Sequence, residues 1–225
     1  VPSCHGFDFV NAFDRLPDLP DLPGNLDERI ESLRPEYGLC GGMALAARDF
    51  FLSGRPIPSG DETPDSGPLF DYLWQRQIDT FAPGRGWRYL RKFLQFYLPS
   101  SFTRARSVSE FRSLKDALDA GRPAVLGLVY VRAGDGNLWD NHQVLAYDYL
   151  EAGGTTHIAV YDPNHPNEND IEVRVSLEDQ GWADPAPGSK VIDAGQYRGR
   201  TRQHDVIGMI HMDVAPRTPP VGPGA

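Results

Sequence analysis

The strongest constraint on the fold is a change of hydrophobic periodicity at Pro123. Before this residue, apolar side chains recur at helical spacing, whereas after it five short runs have the character of strands. The runs are AVLGLVYV, QVLAYDYL, HIAVYD, IEVRVSL and VIGMIHM, each bounded by Gly, Asn, Asp or Pro. Because the helices precede the strands instead of alternating with them, the sequence predicts an α+β fold.

Four helices are predicted in the first half. One begins near Cys40, and a second has Pro68 in its first turn, where the missing N–H costs nothing. A third amphipathic segment covers residues 87–97. Ser107, followed three positions later by Glu110, has the pattern of a capping box, which predicts that the fourth helix begins there.

The second and third strands are separated by a tight connection. The segment from Glu151 to Thr155 reads EAGGT, and glycines at the centre of such a turn favour an antiparallel hairpin. We therefore expect residues 143–150 to pair with residues 157–162. This pairing would bring the end of the third strand close to the start of the second.

The pattern divides the chain into one domain with a short tail. We expect residues 1–36 to form an N-terminal arm and a connector, because LPDLPDLPG has too many prolines for a regular element. The first dozen residues are expected to stand apart. Residues 37–122 are predicted as a helical subdomain and residues 123–215 as an antiparallel β subdomain, followed by a proline-rich tail over 216–225.

Composition narrows the classes of function. A chain of 225 residues with 40% hydrophobic residues can bury a core, and its net charge of -9 disfavours binding to nucleic acid or to anionic membranes. No apolar stretch approaches the roughly 20 residues that span a bilayer. We expect a soluble protein, with the cytoplasm favoured over secretion because no signal-peptide pattern is present. The sequence does not predict an oligomeric state.

Cys40 lies in YGLCGGM, between a turn and the start of a helix. The N-terminus of a helix presents unpaired N–H groups and partial positive charge, which favours a thiolate. Gly41 and Gly42 each cost about 1 kcal/mol of helix propensity relative to Ala, which we interpret as room for a substrate backbone. The N–H of Cys40 is a candidate donor to an oxyanion. These features predict a nucleophilic thiol.

Two further residues complete the constellation. His142 lies in NHQ at the start of a predicted strand, from which an imidazole can project into a cleft. Asp162, in YDPNHP, ends the next strand, within reach of His142 if the two strands pair. We therefore expect His142 to act as the base for Cys40, and Asp162 to orient the imidazole.

In its order of Cys helix, His strand and Asp loop, the chain resembles the papain-like superfamily of cysteine peptidases. Together, the Cys-Gly helix, NHQVLAYDY and VYDPN are similar to bacteriocin-leader-processing peptidases, and GLCGGM with NHQVLAY and YDPNHP resembles a group of uncharacterised microbial proteins over residues 5–212. The resemblance implies a nucleophile helix packed on an antiparallel sheet or half-barrel. It also implies a hydrolase or acyltransferase that cleaves an amide or peptide bond through a thioester.

One departure from the papain-like pattern concerns the oxyanion site. Papain-like peptidases usually carry a glutamine about six residues before the cysteine, and Arg34 stands there in this chain. Other residues must then supply the second donor or line the cleft. The candidates are Gly41, Tyr37, Asn141, Gln143, Asn164 and Trp139.

Several alternatives remain open at this stage. One alternative is a catalytically inactive binding module for a peptide or small molecule, and another is a disulfide between Cys4 and Cys40. A zinc site built from Cys4, His5, Cys40 and His142 lacks the usual ligand spacing. The oxygen-rich segment 162–170 fits a solvated turn better than a calcium site. We expect no cofactor or metal, and a peptide or small amide as substrate.

Overall fold

The computed structural model describes residues 1–14, 17, 38–81, 88–97, 102–132, 134–136, 140–179 and 190–220. The helices are α1 (Pro2–His5), α2 (Cys40–Ser53), α3 (Gly67–Phe81), α4 (Arg88–Tyr97) and α5 (Thr103–Asp119). The strands are β1 (Ala124–Val129), β2 (His142–Ala152), β3 (Thr155–Tyr161), β4 (Ile171–Asp179), β5 (Lys190–Arg198), β6 (Thr201–Val206) and β7 (Gly208–Met212). The α+β prediction is confirmed.

Helix α2 lies inside the molecule. Every residue from Gly41 to Phe50 is buried, because the helix is covered by α3 on one side and by β1 and β2 on the other. The helix ends at Gly54, whose φ of 66° is the left-handed conformation that glycine adopts readily. The predicted helix beginning near Cys40 is confirmed, and its first residue is fixed against the sheet.

Helix α5 begins four residues before the predicted capping box, so that prediction is wrong. Ser107 lies inside the helix, where its hydroxyl donates to the carbonyl of Thr103 and accepts the N–H of Met209 at 2.9 Å. Glu110, one turn further on, accepts the N–H of His211 at 3.1 Å. The two side chains share a helix face because they are three residues apart. They cover outward-facing amides of the edge strand β7.

The seven strands form one antiparallel sheet in the order β6-β5-β4-β3-β2-β1-β7. The predicted hairpin is confirmed: β2 pairs with β3, with Leu150 opposite His157, and Gly153 and Gly154 turn the chain with positive φ. Strand β5 was not predicted, because it contains Gly195 and has little alternation. The last predicted run is divided between β6 and β7 at Ile207.

Helix α5 shows that the sheet curls. It packs against both β5 and β7, which are five positions apart in the sheet. In a flat sheet these strands would be about 24 Å apart, more than the diameter of a helix, about 10 Å. The concave face therefore wraps around α5, whereas α2, α3 and α4 share a second core with the opposite face.

Both ends of the described chain pack against the helices. Phe7 and Phe9 are buried in the core that contains α2. The prediction that the first dozen residues stand apart from the domain is therefore wrong. Near the C-terminus, Val214 is buried, and the carbonyl of Pro219 accepts a hydrogen bond from Arg55 at 2.5 Å. The described part of the predicted tail is thus held against the helices. Much of the predicted connector lies outside the described residues.

Candidate active site

The site lies where α2 and β2 both begin. Helix α2 starts at Cys40 and packs on β2, whose first residue is His142. Strand β3 runs antiparallel to β2, with Tyr161 opposite Leu145, so the end of β3 lies beside the start of β2. Asp162 follows directly. Three elements that are distant in sequence thus deliver the three predicted residues to one place.

The imidazole of His142 links the other two side chains. Its Nε2 donates to Oδ1 of Asp162 at 2.6 Å, and the ring lies near Cys40, whose side chain contributes to the raised pKa of the imidazole. Because Nε2 is occupied by the carboxylate, Nδ1 is the nitrogen left for the sulfur. His142 and Asp162 are buried, with exposed fractions of 7% and 2%, whereas Cys40 is partly exposed.

Electrostatics favour the charged form of both partners. Burial lowers the pKa of His142, but the charge and hydrogen bond of Asp162 and the contact with Cys40 outweigh it and raise that pKa to about 10. Burial raises the pKa of Asp162, but His142 and the N–H of Asn164 together lower it to about 2. At neutral pH the pair is therefore imidazolium and carboxylate.

The first four N–H groups of α2, those of residues 39–42, have no acceptor within the helix. Side chains from other segments accept the two outer ones. Oδ1 of Asn11 accepts the N–H of Leu39 at 2.6 Å, and Oε1 of Gln77 accepts the N–H of Gly42 at 2.8 Å. The helix N-terminus is therefore capped from both sides by distant parts of the chain.

The two inner N–H groups, those of Cys40 and Gly41, have no acceptor among the described residues. They belong to the nucleophile itself and to the next residue, at the positive end of the helix. Two adjacent donors beside a sulfur are the arrangement that stabilises an oxyanion formed by attack on a carbonyl. Cys40 lines the cleft, whereas Gly41 is buried and is not part of the cleft wall, so the N–H of Cys40 is the donor placed to contact a substrate oxygen.

The structure explains the need for glycine at positions 41 and 42 differently from the sequence analysis. A Cβ on Gly41 would lie 2.3 Å from Oε1 of Gln143, and one on Gly42 would lie 2.2 Å from the carbonyl oxygen of Leu73. Glycine is therefore required for close packing of α2 on β2 and α3, not for the approach of a substrate. Gln143 consequently lies behind the helix, buried, and does not line the cleft.

Asn141 and Asn164 line the cleft and hold its backbone. Oδ1 of Asn141 accepts the N–H of Tyr130 at 2.7 Å and that of the next residue at 3.1 Å. The N–H of Asn164 donates to Asp162 at 2.8 Å, and its side-chain oxygen accepts a hydrogen bond from Asn11 at 3.0 Å. Two further candidates, Tyr37 and Trp139, lie outside the described residues.

Sequence reasoning missed two residues that contact this network. Nε2 of Gln196 donates to Oδ2 of Asp162 at 2.5 Å, and the hydroxyl of Tyr130 donates to Oε1 of Gln196. Gln196 lies on β5, which the pattern did not reveal, so no local signal pointed to it. Tyr130 was visible only as the end of a hydrophobic run.

A cleft of about 390 Å³ opens in front of Cys40 and His142. Its wall is mainly polar, and Ile171 is the one aliphatic side chain that the described residues contribute to it. At its rim Arg198 forms an ion pair with Glu168, with Nε 2.5 Å from Oε2. Other side chains of the wall are Asn11, Tyr130, Asn164, Gln196, Gln203 and His204.

Other predicted arrangements can be compared with the structure. Cys4 and Cys40 are both free thiols, so the alternative of a disulfide between them is excluded. Within the described ranges, no group of three or more His, Cys, Asp and Glu side chains is arranged to hold a metal ion. The part of the chain that the structure describes also contains no helix long and apolar enough to cross a membrane.

Comparison of this chain with protein-family models, with curated proteins and with solved structures finds no match.

Proposed function

We propose that this protein is a cysteine-dependent hydrolase or acyltransferase of the papain-like type, acting on an amide or peptide bond. One observation carries the proposal: His142, hydrogen-bonded to the buried carboxylate of Asp162, lines the same cleft as the partly exposed sulfur of Cys40 and interacts with it. A nucleophile, a base in contact with it and a group that orients the base are the parts of a catalytic triad.

The chemistry follows from the protonation states. The thiolate of Cys40 attacks the carbonyl carbon, and the N–H of Cys40 stabilises the resulting oxyanion. The imidazolium of His142 gives its proton to the leaving amine as the C–N bond breaks, which leaves a thioester. Neutral His142 then takes a proton from water or from an acceptor amine, which attacks the thioester and releases the thiolate.

The cleft favours a polar acyl group. Its wall is built mainly from amide, imidazole, phenol and charged groups, with Ile171 as the one aliphatic member among the described residues. A large apolar side chain would cover these polar groups without satisfying their hydrogen bonds, which is unfavourable. We therefore expect amides with hydrogen-bonding groups close to the carbonyl to react in preference to those with bulky aliphatic or aromatic groups.

Trapping the acyl-enzyme tests the proposal. The protein is incubated with a panel of activated esters and anilides of polar amino acids, quenched in acid and digested, and the peptide that contains Cys40 is examined by mass spectrometry. We expect an acyl adduct on Cys40 that is absent in Cys40→Ala and forms at least about 100-fold more slowly in His142→Ala. The control Cys4→Ala should behave as the parent.

Two outcomes would contradict the proposal. An adduct that forms equally fast in the parent and in His142→Ala would mean that the imidazole does not activate the sulfur. Saturable binding of the same compounds, equal in the parent and in Cys40→Ala and never followed by an adduct, would instead favour the binding module.

A further inference from the structure

We propose that Gln196, oriented by Tyr130, is a positioning residue that holds Asp162 against His142 during the reaction. This inference rests on the proposed function and adds two members to its site. Neither residue is expected to touch the substrate carbonyl. Both act through Asp162, and their effect must therefore be sought at His142.

The first argument concerns the two oxygens of Asp162. The carboxylate is 2% exposed, so water cannot satisfy it. Oδ1 accepts hydrogen bonds from His142 and from the N–H of Asn164, at 2.6 and 2.8 Å. Oδ2 accepts one from Gln196, at 2.5 Å, and this is its one partner among the described residues. Without Gln196 a buried, charged oxygen would have no donor, which is costly.

The second argument concerns the direction of the Gln196 amide. The side chain is 4% exposed, and an amide turned by 180° would point its oxygen at the carboxylate. The carboxylate of Asp162 can only accept and therefore selects Nε2, and the hydroxyl of Tyr130 stabilises this orientation because it donates to Oε1. Tyr130 is fixed in turn: Asn141 accepts its N–H, and its ring stacks on that of His204 with centroids 4.5 Å apart.

The third argument concerns the fold. Tyr130 directly follows β1, whereas Gln196 lies on β5, four positions away in the sheet. Their hydrogen bond is possible because the sheet curls. The orientation of Asp162 therefore depends on closure of the concave face, and the site depends on a strand that contributes no triad residue. We accordingly expect changes at Gln196 to alter the titration of His142 more than they alter global stability.

The titration of the His142 imidazole tests the proposal. It is followed by NMR in the full chain, with His142→Gln used to assign the resonance. In Gln196→Met, which preserves volume and removes both hydrogen bonds, we expect the pKa of His142 to fall by about one unit, since a carboxylate that is no longer held against the imidazolium stabilises it less. In Tyr130→Phe, which removes the hydroxyl alone, we expect a smaller fall. The matched control is Gln203→Met, in the same cleft wall but without contact with Asp162.

The outcomes separate the inference from the function on which it rests. If Asp162→Asn lowers the pKa of His142 but Gln196→Met and Tyr130→Phe leave it unchanged, the positioning role is wrong and the triad stands. If Asp162→Asn also has no effect, the proposed function fails as well. A lower melting temperature in Tyr130→Phe with an unchanged titration would assign these residues a structural role and overturn the inference.

Discussion

Two buried clusters of charged side chains contact α2, one near its middle and one at its first residue, and they differ in their access to solvent. In the closed cluster, Nε of Arg76 lies 2.8 Å from Oδ2 of Asp49, and Nη1 lies 2.6 Å from Oδ2 of Asp79. The C-terminal segment covers this cluster, with the carbonyl of Ala215 accepting from Arg76 and the guanidinium of Arg217 pairing with Asp79.

The open cluster, formed by Cys40, His142 and Asp162, faces a cleft instead of a covering segment. The two clusters also differ in what determines the pKa shifts of their side chains. Arg48 also belongs to the closed cluster, with its Nη2 3.7 Å from Oδ1 of Asp49. In this cluster burial prevails, because it raises the pKa of Asp49 and lowers that of Arg48 despite their partners. In the open cluster the partners prevail, raising the pKa of His142 and lowering that of Asp162.

The difference separates buried charge that holds a structure together from buried charge that can move a proton. In the closed cluster, each named carboxylate is paired with a guanidinium, which does not release its proton in proteins. In the open cluster the central group is an imidazole, which exchanges a proton readily, and the sulfur beside it is accessible. A buried ion pair alone is therefore weak evidence of a catalytic site.

The largest expected effect comes from the closed cluster. Arg76→Met leaves Asp49 and Asp79 buried without their common partner, and breaking a buried pair in this way costs about 3–5 kcal/mol. Unfolding in denaturant measures this loss. The titration of His142 should remain as in the parent, and a large shift there would show that the two clusters are coupled.

The second prediction concerns the dependence of the free energy of unfolding on pH, which tests the ion pair in the open cluster. Because folding raises the pKa of His142 from 6.5 to about 10, its stabilisation is complete below pH 6.5 and is lost as the pH rises to about 10. Folding lowers the pKa of Asp162 from 3.8 to about 2, so its contribution is lost as the pH falls through that range. Denaturant unfolding at a series of pH values should show both losses. In His142→Gln the loss above pH 6.5 should disappear, and a parent curve that stays flat between pH 6.5 and 10 would contradict the ion pair.

The smallest expected effect comes from Asn11, which joins the start of α2 to the loop after β3. Asn11→Ala removes the acceptor for Leu39 and the donor to Asn164, and loss of a helix cap costs about 1 kcal/mol. We also expect slower acylation of Cys40, because the sulfur and the imidazole are no longer held in register. In the matched variant Asn11→Asp the acceptor remains, so most of the stability should return. Equal acylation rates in Asn11→Ala and the parent would restrict Asn11 to a structural role.

The sequence predicted the parts of the fold that have strong local signals. The helix from Cys40 to Gly54 and the hairpin around Gly153 and Gly154 were predicted because periodicity and turn glycines determine them. The capping box predicted at Ser107 was wrong. Such a pattern describes hydrogen bonds between neighbours in sequence, whereas the hydroxyl of Ser107 accepts the N–H of Met209, on a strand about a hundred residues away. Strand β5 lacked the alternation by which a strand is recognised.

At the site, too, residues with a local sequence signal were predicted and residues placed by tertiary contacts were not. The structure brings Cys40, His142 and Asp162 together, and each stood at a recognisable helix start or strand end. Gln196 and Asn11 could not be predicted, because their contacts with Asp162 and Leu39 arise from the curl of the sheet and from the path of the N-terminal segment. Contacts set by tertiary geometry leave no periodic trace in the sequence.

The two cysteines of the chain provide the most direct test of the account. Both are free, but one is exposed on the short helix α1 and the other contacts an imidazolium. Alkylation by iodoacetamide at about pH 6 should modify Cys40 at least about tenfold faster than Cys4, and His142→Ala should remove that advantage. Equal rates for the two thiols in the parent, or a Cys40 rate unaffected by His142→Ala, would contradict activation of Cys40 by His142.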